Sequence, residues 1–133
     1  MRTPSVLALA ASLSVVALPV AAQDISGNWS GFGKAKIASS GKMENFRCRV
    51  AYRRQSEKVF GVKAVCANPS TKIIQTGTVL KVRHNTFVGE FTNPDFDIRG
   101  RVRIVVAGAG SAAKQTVTLS ATEGTGTLNL SRR

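Results

Sequence analysis

Between Phe46 and Cys66 the chain reads FRCRVAYRRQSEKVFGVKAVC, in which apolar and polar residues alternate on both sides of a polar tetrapeptide, residues 55–58. Folded about that tetrapeptide, the stretch predicts a β-hairpin in which Cys48 lies opposite Cys66. Because successive side chains of a strand point to opposite faces, one face of this hairpin is apolar and the other is basic. The pattern therefore predicts a sheet protein with a charged outer surface.

The first 22 residues have the organisation of a secretory signal peptide. Arg2 provides the positively charged N-terminal region, and residues 6–18 form the apolar run. Residues 20–22, Val-Ala-Ala, match a cleavage site after Ala22. The apolar run is shorter than the ~20 residues that a membrane-spanning helix requires, so we expect no transmembrane segment in the mature chain. We therefore expect residues 23–133 to form a single periplasmic or secreted domain.

The two cysteines fit this expectation of export. In an oxidising compartment, two cysteines that face each other across a hairpin predict a disulfide between Cys48 and Cys66. Their spacing fits no zinc-binding pattern, and the chain contains one histidine. We therefore expect no metal site.

Short alternating segments continue through the rest of the mature chain. We count eight predicted strands joined by short turns, of which the segment from Phe96 to Val106 alternates most regularly. In the fourth strand, residues 72–83, Leu80 and Val82 share one face. An all-β fold, an eight-stranded antiparallel up-and-down β-barrel, would leave no exposed sheet edge. A β-sandwich is the alternative, and in the barrel we expect an interior mostly filled by side chains.

The mature chain begins Asp24-Ile25-Ser26-Gly27-Asn28-Trp29, which resembles the Gly-x-Trp opening of the first strand in calycins, the superfamily of lipocalins and avidins. This resemblance implies that Trp29 closes one end of a barrel beneath an arginine from near the chain end, for which Arg132 is the matching position. The mature chain is also similar to small, exported, uncharacterised bacterial proteins with this opening and a cysteine pair across strands two and three. Unlike lipocalins, it is short and has no C-terminal helix.

Charge is the strongest signal in the composition, since 19 Lys and Arg stand against 7 Asp and Glu and give a net charge of +12. Such a surface attracts polyanions, and arginine suits phosphate and carboxylate groups. We expect an anionic envelope component or an acidic protein as partner, and we do not expect nucleic acid as a physiological one. The alternative is a solvated face that keeps the protein soluble. The candidate binding residues form two rows with a two-residue period: Arg99, Arg101 and Arg103, and Arg47, Arg49 and Arg53.

No motif in the sequence indicates an enzyme or a cofactor. His84 lies in a predicted surface turn. Residues 108–115 faintly resemble a phosphate-binding loop, but they lack the glycine before the lysine and the hydroxyl residue after it. We expect a non-enzymatic exported binding module that contacts anionic partners through its basic outer face or holds a small apolar ligand in its mouth. The alternative is a periplasmic barrel-type protease inhibitor. That function requires a flexible segment before the barrel. In the expected mature chain only residues 23–26 precede Gly27, which counts against this alternative.

Overall fold

The computed structural model describes residues 2–5, 10–12 and 24–133. The predicted cleavage site and most of the predicted signal peptide lie outside these ranges. From residue 24 onward the chain forms eight strands, with one short 3-10 helix at Gly110–Ala112. The strands are β1 (Gly27–Ile37), β2 (Met43–Arg54), β3 (Val59–Ala67), β4 (Lys72–Arg83), β5 (Thr86–Asn93), β6 (Ile98–Ala107), β7 (Lys114–Ala121) and β8 (Gly124–Arg132).

Each strand pairs antiparallel with the next, and β8 pairs with β1, so the sheet closes on itself. This confirms the predicted up-and-down barrel and excludes the β-sandwich. Residues 24–26, the chain end and the β2–β3, β4–β5 and β6–β7 connections lie at one end, which we call the closed end. The other four turns surround the opposite end, which we call the open end.

The cysteine hairpin has the register that the sequence predicts. Cys48 pairs with Cys66 across β2 and β3, and their sulfurs are bonded at 2.05 Å. At the turn, the backbone N–H groups of Gln55 and Ser56 both donate to the carbonyl of Val59, at 2.8 and 3.2 Å. The apolar face of this hairpin points into the barrel, so the predicted disulfide is confirmed and lies in the core.

Large side chains fill the barrel towards its closed end. Phe60 and Phe87 are fully buried and meet edge to face, with ring centroids 5.5 Å apart. The hydroxyl of Tyr52 donates to Oε1 of Gln115 at 2.8 Å. Burial raises the pKa of the Tyr52 phenol, which keeps it protonated and able to donate this bond. This half of the barrel leaves little room for a ligand.

The structure settles one detail of the strands that the sequence left open and corrects another. In β4 the face that carries Leu80 and Val82 is the outer one, with both side chains nearly half exposed, while the neighbouring Val79 is buried in the core. The sixth strand begins at Ile98, because Asp97 adopts a left-handed backbone with φ of 52° that interrupts the extended conformation. Phe96 therefore lies in the β5–β6 turn at the open end.

Candidate ligand site and basic outer surface

The closed end is sealed by the tryptophan and arginine that the calycin resemblance singled out. Trp29 is fully buried, its indole N–H donates to the carbonyl of Ile25 at 2.9 Å, and the guanidinium of Arg132 lies 4.5 Å above its ring. Arg132 also donates to the carbonyls of Ser26, at 3.0 Å, and Asp24. These contacts fix residues 24–26 across the end of the barrel.

Asp24 adds an electrostatic contact to this seal. Its carboxylate lies 3.5 Å from the guanidinium of Arg54 and accepts a hydrogen bond from the backbone N–H of Ser26 at 2.8 Å. Partial burial alone would raise the pKa of Asp24. The hydrogen bonds from Ser26 and the charges of Arg54 and Arg132 outweigh that effect and hold the pKa below its ordinary value. The carboxylate therefore stays charged and holds the segment in place.

The open end contains a hollow of about 340 Å³. Its walls are mainly apolar, and the larger apolar side chains that line it are Ile37, Phe46, Ile73, Phe91, Phe96, Ile98 and Leu119. The space exists because other inward positions at this end carry small residues, namely Ala35, Ala121 and Gly126. A mostly filled interior was expected, and the structure restricts the filled part to the closed half of the barrel.

Phe91 helps to form the floor of the hollow. Its ring packs directly on the backbone of Gly100, where an added Cβ would come within 2.6 Å of ring atom Cε1. Beneath this floor lies a second void of about 30 Å³, which is also lined by Phe91, Gln75 and Leu119. A void of that size holds about one water molecule. The hollow therefore ends at the level of Phe91.

One residue that lines the hollow has a fully buried side-chain oxygen for which the described part of the chain provides no partner. Asn93, the last residue of β5, is 2% exposed, and its side-chain oxygen Oδ1 accepts no hydrogen bond. A buried acceptor left in this state costs about 1 to 3 kcal/mol. Glu44, Glu123 and Lys36 also line the hollow. Sequence reasoning missed Asn93, because Asn-Pro-Asp at positions 93–95 is a typical turn sequence and nothing in it indicates an inward side chain.

The two arginine rows lie on the outer surface, on opposite walls. Arg99, Arg101 and Arg103 are exposed on β6, and Arg47, Arg49 and Arg53 are exposed on β2. Three strands separate β2 from β6 in either direction around the barrel. The structure therefore does not bring the two rows together into one binding surface.

The surroundings of the two rows also differ. Glu90 lies opposite Arg101 in the neighbouring strand β5, so the β6 row includes a nearby carboxylate. The outward positions of β1, β2 and β3 contain cations and no carboxylate, and we call this surface the basic wall. Near its centre the exposed ring of Phe32 lies 5.4 Å from the guanidinium of Arg47. The cations of the basic wall are Lys34, Lys36, Arg47, Arg49, Arg53 and Lys63, of which Lys36, next to the last residue of β1, also borders the hollow.

Other candidate chemistry remains sparse in the described ranges. His84 is exposed in the β4–β5 turn. Among residues 2–5, 10–12 and 24–133 there is no group of three or more histidine, cysteine or acidic residues that could hold a metal ion. Within the same ranges no helix is long and apolar enough to cross a membrane.

No protein-family model and no curated protein matches the sequence. Among solved structures, the chain resembles a redesigned β-barrel with a TM-score of 0.62 at 14% identity, covering 81% of this chain and 90% of that one. It also resembles the redesigned barrel mFAP1 bound to DFHBI, with a TM-score of 0.61 at 16% identity over 80% and 94% of the two chains. A third similar structure is EF1p2_mFAP2b bound to DFHBI, with a TM-score of 0.61 at 15% identity over 81% and 93%. At these identities the likeness establishes the fold alone.

Proposed function

We propose that this protein is a non-enzymatic binding barrel that takes a small, largely apolar ligand at its open end. The observation that carries the proposal is the apolar hollow of about 340 Å³, which opens at one end of a barrel whose other end is sealed by Trp29 and Arg132. Its volume lies within the usual range for small-molecule sites, which are concave, mostly apolar and equipped with a few polar groups. The similar barrels bound to DFHBI support the same use of this fold.

We further propose that the protein is an exported member of the calycin type. The Gly-x-Trp opening, the stacking of Arg132 on Trp29 and the Cys48–Cys66 disulfide support this assignment. A disulfide is compatible with an oxidising compartment such as the periplasm or the cell exterior. Export with cleavage after Ala22 predicts a mature chain that begins at Gln23. Mass spectrometry of the protein recovered from the cell envelope would test this.

The ligand site is tested by filling it. N-phenyl-1-naphthylamine, an uncharged apolar fluorophore, is expected to bind the parent protein with a rise in emission. Ala121→Phe places a ring in the hollow, whereas Ala51→Phe places the same ring on the exposed face of β2. We expect Ala121→Phe to weaken binding by about tenfold or more, equivalent to about 1.4 kcal/mol, and Ala51→Phe to leave it unchanged. No binding to the parent, or equal binding by both variants, would contradict the proposal.

A second candidate role is contact with an anionic partner through the outer surface, either an envelope polymer or an acidic protein. It is favoured by the basic wall, where six cations share one surface without a carboxylate. Protease inhibition has less support, because contacts from Trp29 and Arg132 hold residues 24–26 against the barrel. In that arrangement the segment is not free to enter a protease cleft.

A further inference from the structure

The basic wall carries two apolar side chains among its cations. Phe32 has 66% of its surface exposed, the largest fraction of any large apolar residue in the described part of the chain, and Met43 has 55% exposed. Both occupy outward positions, Phe32 on β1 and Met43 at the start of β2. Isolated exposed apolar residues are common on protein surfaces, so their arrangement relative to the cations decides what they indicate.

The strand register places each of these apolar side chains opposite a cation. Phe32 lies across from Arg47, with the guanidinium 5.4 Å from the ring centroid, and Met43 lies across from Lys36. The two pairs are four residues apart along the strands, a distance of about 13 Å. On its other side Phe32 lies opposite Asn129 of β8. No carboxylate occupies the outward positions of β8, β1, β2 or β3, so these four described strands present positive charge only.

Cations that surround exposed apolar side chains match the surface of an anionic lipid bilayer. Such a surface attracts lysine and arginine electrostatically, and hydrocarbon lies directly beneath its phosphate groups. Aromatic side chains are buried at the boundary between the headgroups and the acyl chains when a basic surface lies on a bilayer. A soluble acidic polymer offers the same negative charge but no hydrocarbon that would take the ring of Phe32 out of water. The bilayer is therefore the partner that uses both features of the wall.

The basic wall also reaches the mouth of the hollow. Lys36 belongs to the wall and borders the hollow, and Met43 lies at the same end of the barrel. A protein that rests on a bilayer by this wall holds its open end beside the headgroups. Apolar compounds leave water for the bilayer, so this orientation brings the hollow next to the phase in which they concentrate.

We infer that the basic wall binds the surface of an anionic lipid bilayer, with its cations against the phosphate groups and the ring of Phe32 inserted among the headgroups. This inference rests on the second candidate role, contact with an anionic partner, and assigns a lipid surface as that partner in place of a polymer or a protein. Docking does not depend on a ligand in the hollow, because Phe32 does not line it.

The first test measures binding of the protein, as its host processes it, to sedimented lipid vesicles. We expect at least tenfold tighter binding to vesicles of equal parts phosphatidylglycerol and phosphatidylcholine than to phosphatidylcholine alone, and weaker binding as salt is raised. Phe32→Ala should weaken binding to the anionic vesicles about three- to tenfold, because the buried apolar area is lost, and should leave binding to heparin unchanged. Leu80→Ala is the matched control, since Leu80 is exposed on the outer face of β4, outside the basic wall.

The second test reports insertion directly. In Phe32→Trp the new indole should shift to shorter wavelength on anionic vesicles and should be quenched by lipids with brominated acyl chains. Leu80→Trp, the corresponding change on β4, should show neither effect. Trp29 is fully buried and gives the same background in both variants, which the parent protein measures. A heparin complex contains no acyl chain, so quenching separates a bilayer contact from a purely ionic one.

The outcomes separate this inference from the functions on which it rests. Vesicle binding that depends on phosphatidylglycerol and on Phe32, with quenching at that position, supports the inference. Binding to heparin without binding to vesicles, or vesicle binding that Phe32→Ala does not weaken, overturns the bilayer and leaves an acidic polymer as partner. Binding to neither overturns the second candidate role as well. The ligand site is judged separately, by the fluorophore in solution without lipid.

Discussion

At the closed end, Trp29 combines complete burial with a hydrogen bond to Ile25 and the cation of Arg132 above its ring. Replacing a large buried aromatic by alanine removes this packing and leaves a cavity, so Trp29→Ala should lower the free energy of unfolding by about 3 to 5 kcal/mol. Phe32→Ala is the matched control, because Phe32 lies on the outer face of the same strand. It should cost about 1 kcal/mol or less, the value of an exposed cation–π contact.

Urea unfolding measured by circular dichroism provides the comparison, since it does not depend on the tryptophan that is removed. Equal losses of stability for the two variants would mean that Trp29 does not seal the barrel. In the parent protein the indole emission should be that of a shielded ring and should shift to longer wavelength on unfolding.

At the same scale, sequence reasoning succeeds where a residue type is rare and fails where it is common. The Gly-x-Trp opening of the first strand resembles that of calycins, and this resemblance implies both the position of Trp29 at a barrel end and the arginine, Arg132, above it. Asn93 carries no such signal, because asparagine before proline is ordinary turn chemistry. Its burial depends on the inward alternation of β5 persisting to the last residue of that strand, which only the three-dimensional pairing reveals.

Among the elements, the β2–β3 hairpin depends on its disulfide most directly. The bond joins residues separated by 18 positions, and a cross-link of that span stabilises the fold by about 3 kcal/mol, chiefly by restricting the unfolded chain. We expect the double change Cys48→Ala and Cys66→Ala to lower the free energy of unfolding by about this amount, with a larger dependence on urea because the unfolded state expands. Reduction of the parent protein with dithiothreitol should lower its stability equally. A double variant as stable as the oxidised parent would contradict the argument.

The hairpin was predictable because its two faces differ clearly, with apolar residues inside and arginines outside. β4 offers no such contrast: its inner face includes Gln75 and Gly77 beside Val79, whereas its outer face carries Leu80 and Val82. Hydrophobic alternation therefore identifies the strand and the residues that share each face, but it does not identify which face points inward. The pairing of Val79 with the buried Phe60 fixes that orientation.

For the whole molecule, closure of the barrel determines how charge is arranged. Eight strands place β2 and β6 on opposite walls, so a flat partner meets either the basic wall or the β6 row. The sequence provides both rows of arginines but not their separation, because strand order around a closed barrel is a property of the pairing. It also does not indicate that Glu90 lies beside Arg101 while the basic wall has no carboxylate.

This difference makes the two walls matched controls for each other in polyanion binding. Replacing Arg47, Arg49 and Arg53 by glutamine removes the same charge as replacing Arg99, Arg101 and Arg103. If the basic wall binds the polyanion, only the first triple variant should weaken binding of heparin and lower the slope of the logarithm of affinity against that of salt. The expected decrease is about 0.7 to 0.9 for each ion pair with the polymer that the substitutions remove, by analogy with nucleic acids.

Thermal unfolding should change little in either triple variant, because exposed charges contribute at most about 1 kcal/mol each. Equal weakening by both variants would mean that heparin responds to net charge alone, and no weakening by either would leave both rows as solvated surface. A larger effect of the β6 variant would show that Glu90 does not offset its neighbouring arginines.

Because the hollow opens at the end of the barrel rather than on its wall, binding of N-phenyl-1-naphthylamine should be the same in both variants. That result would separate a polyanion surface from the ligand site within one molecule.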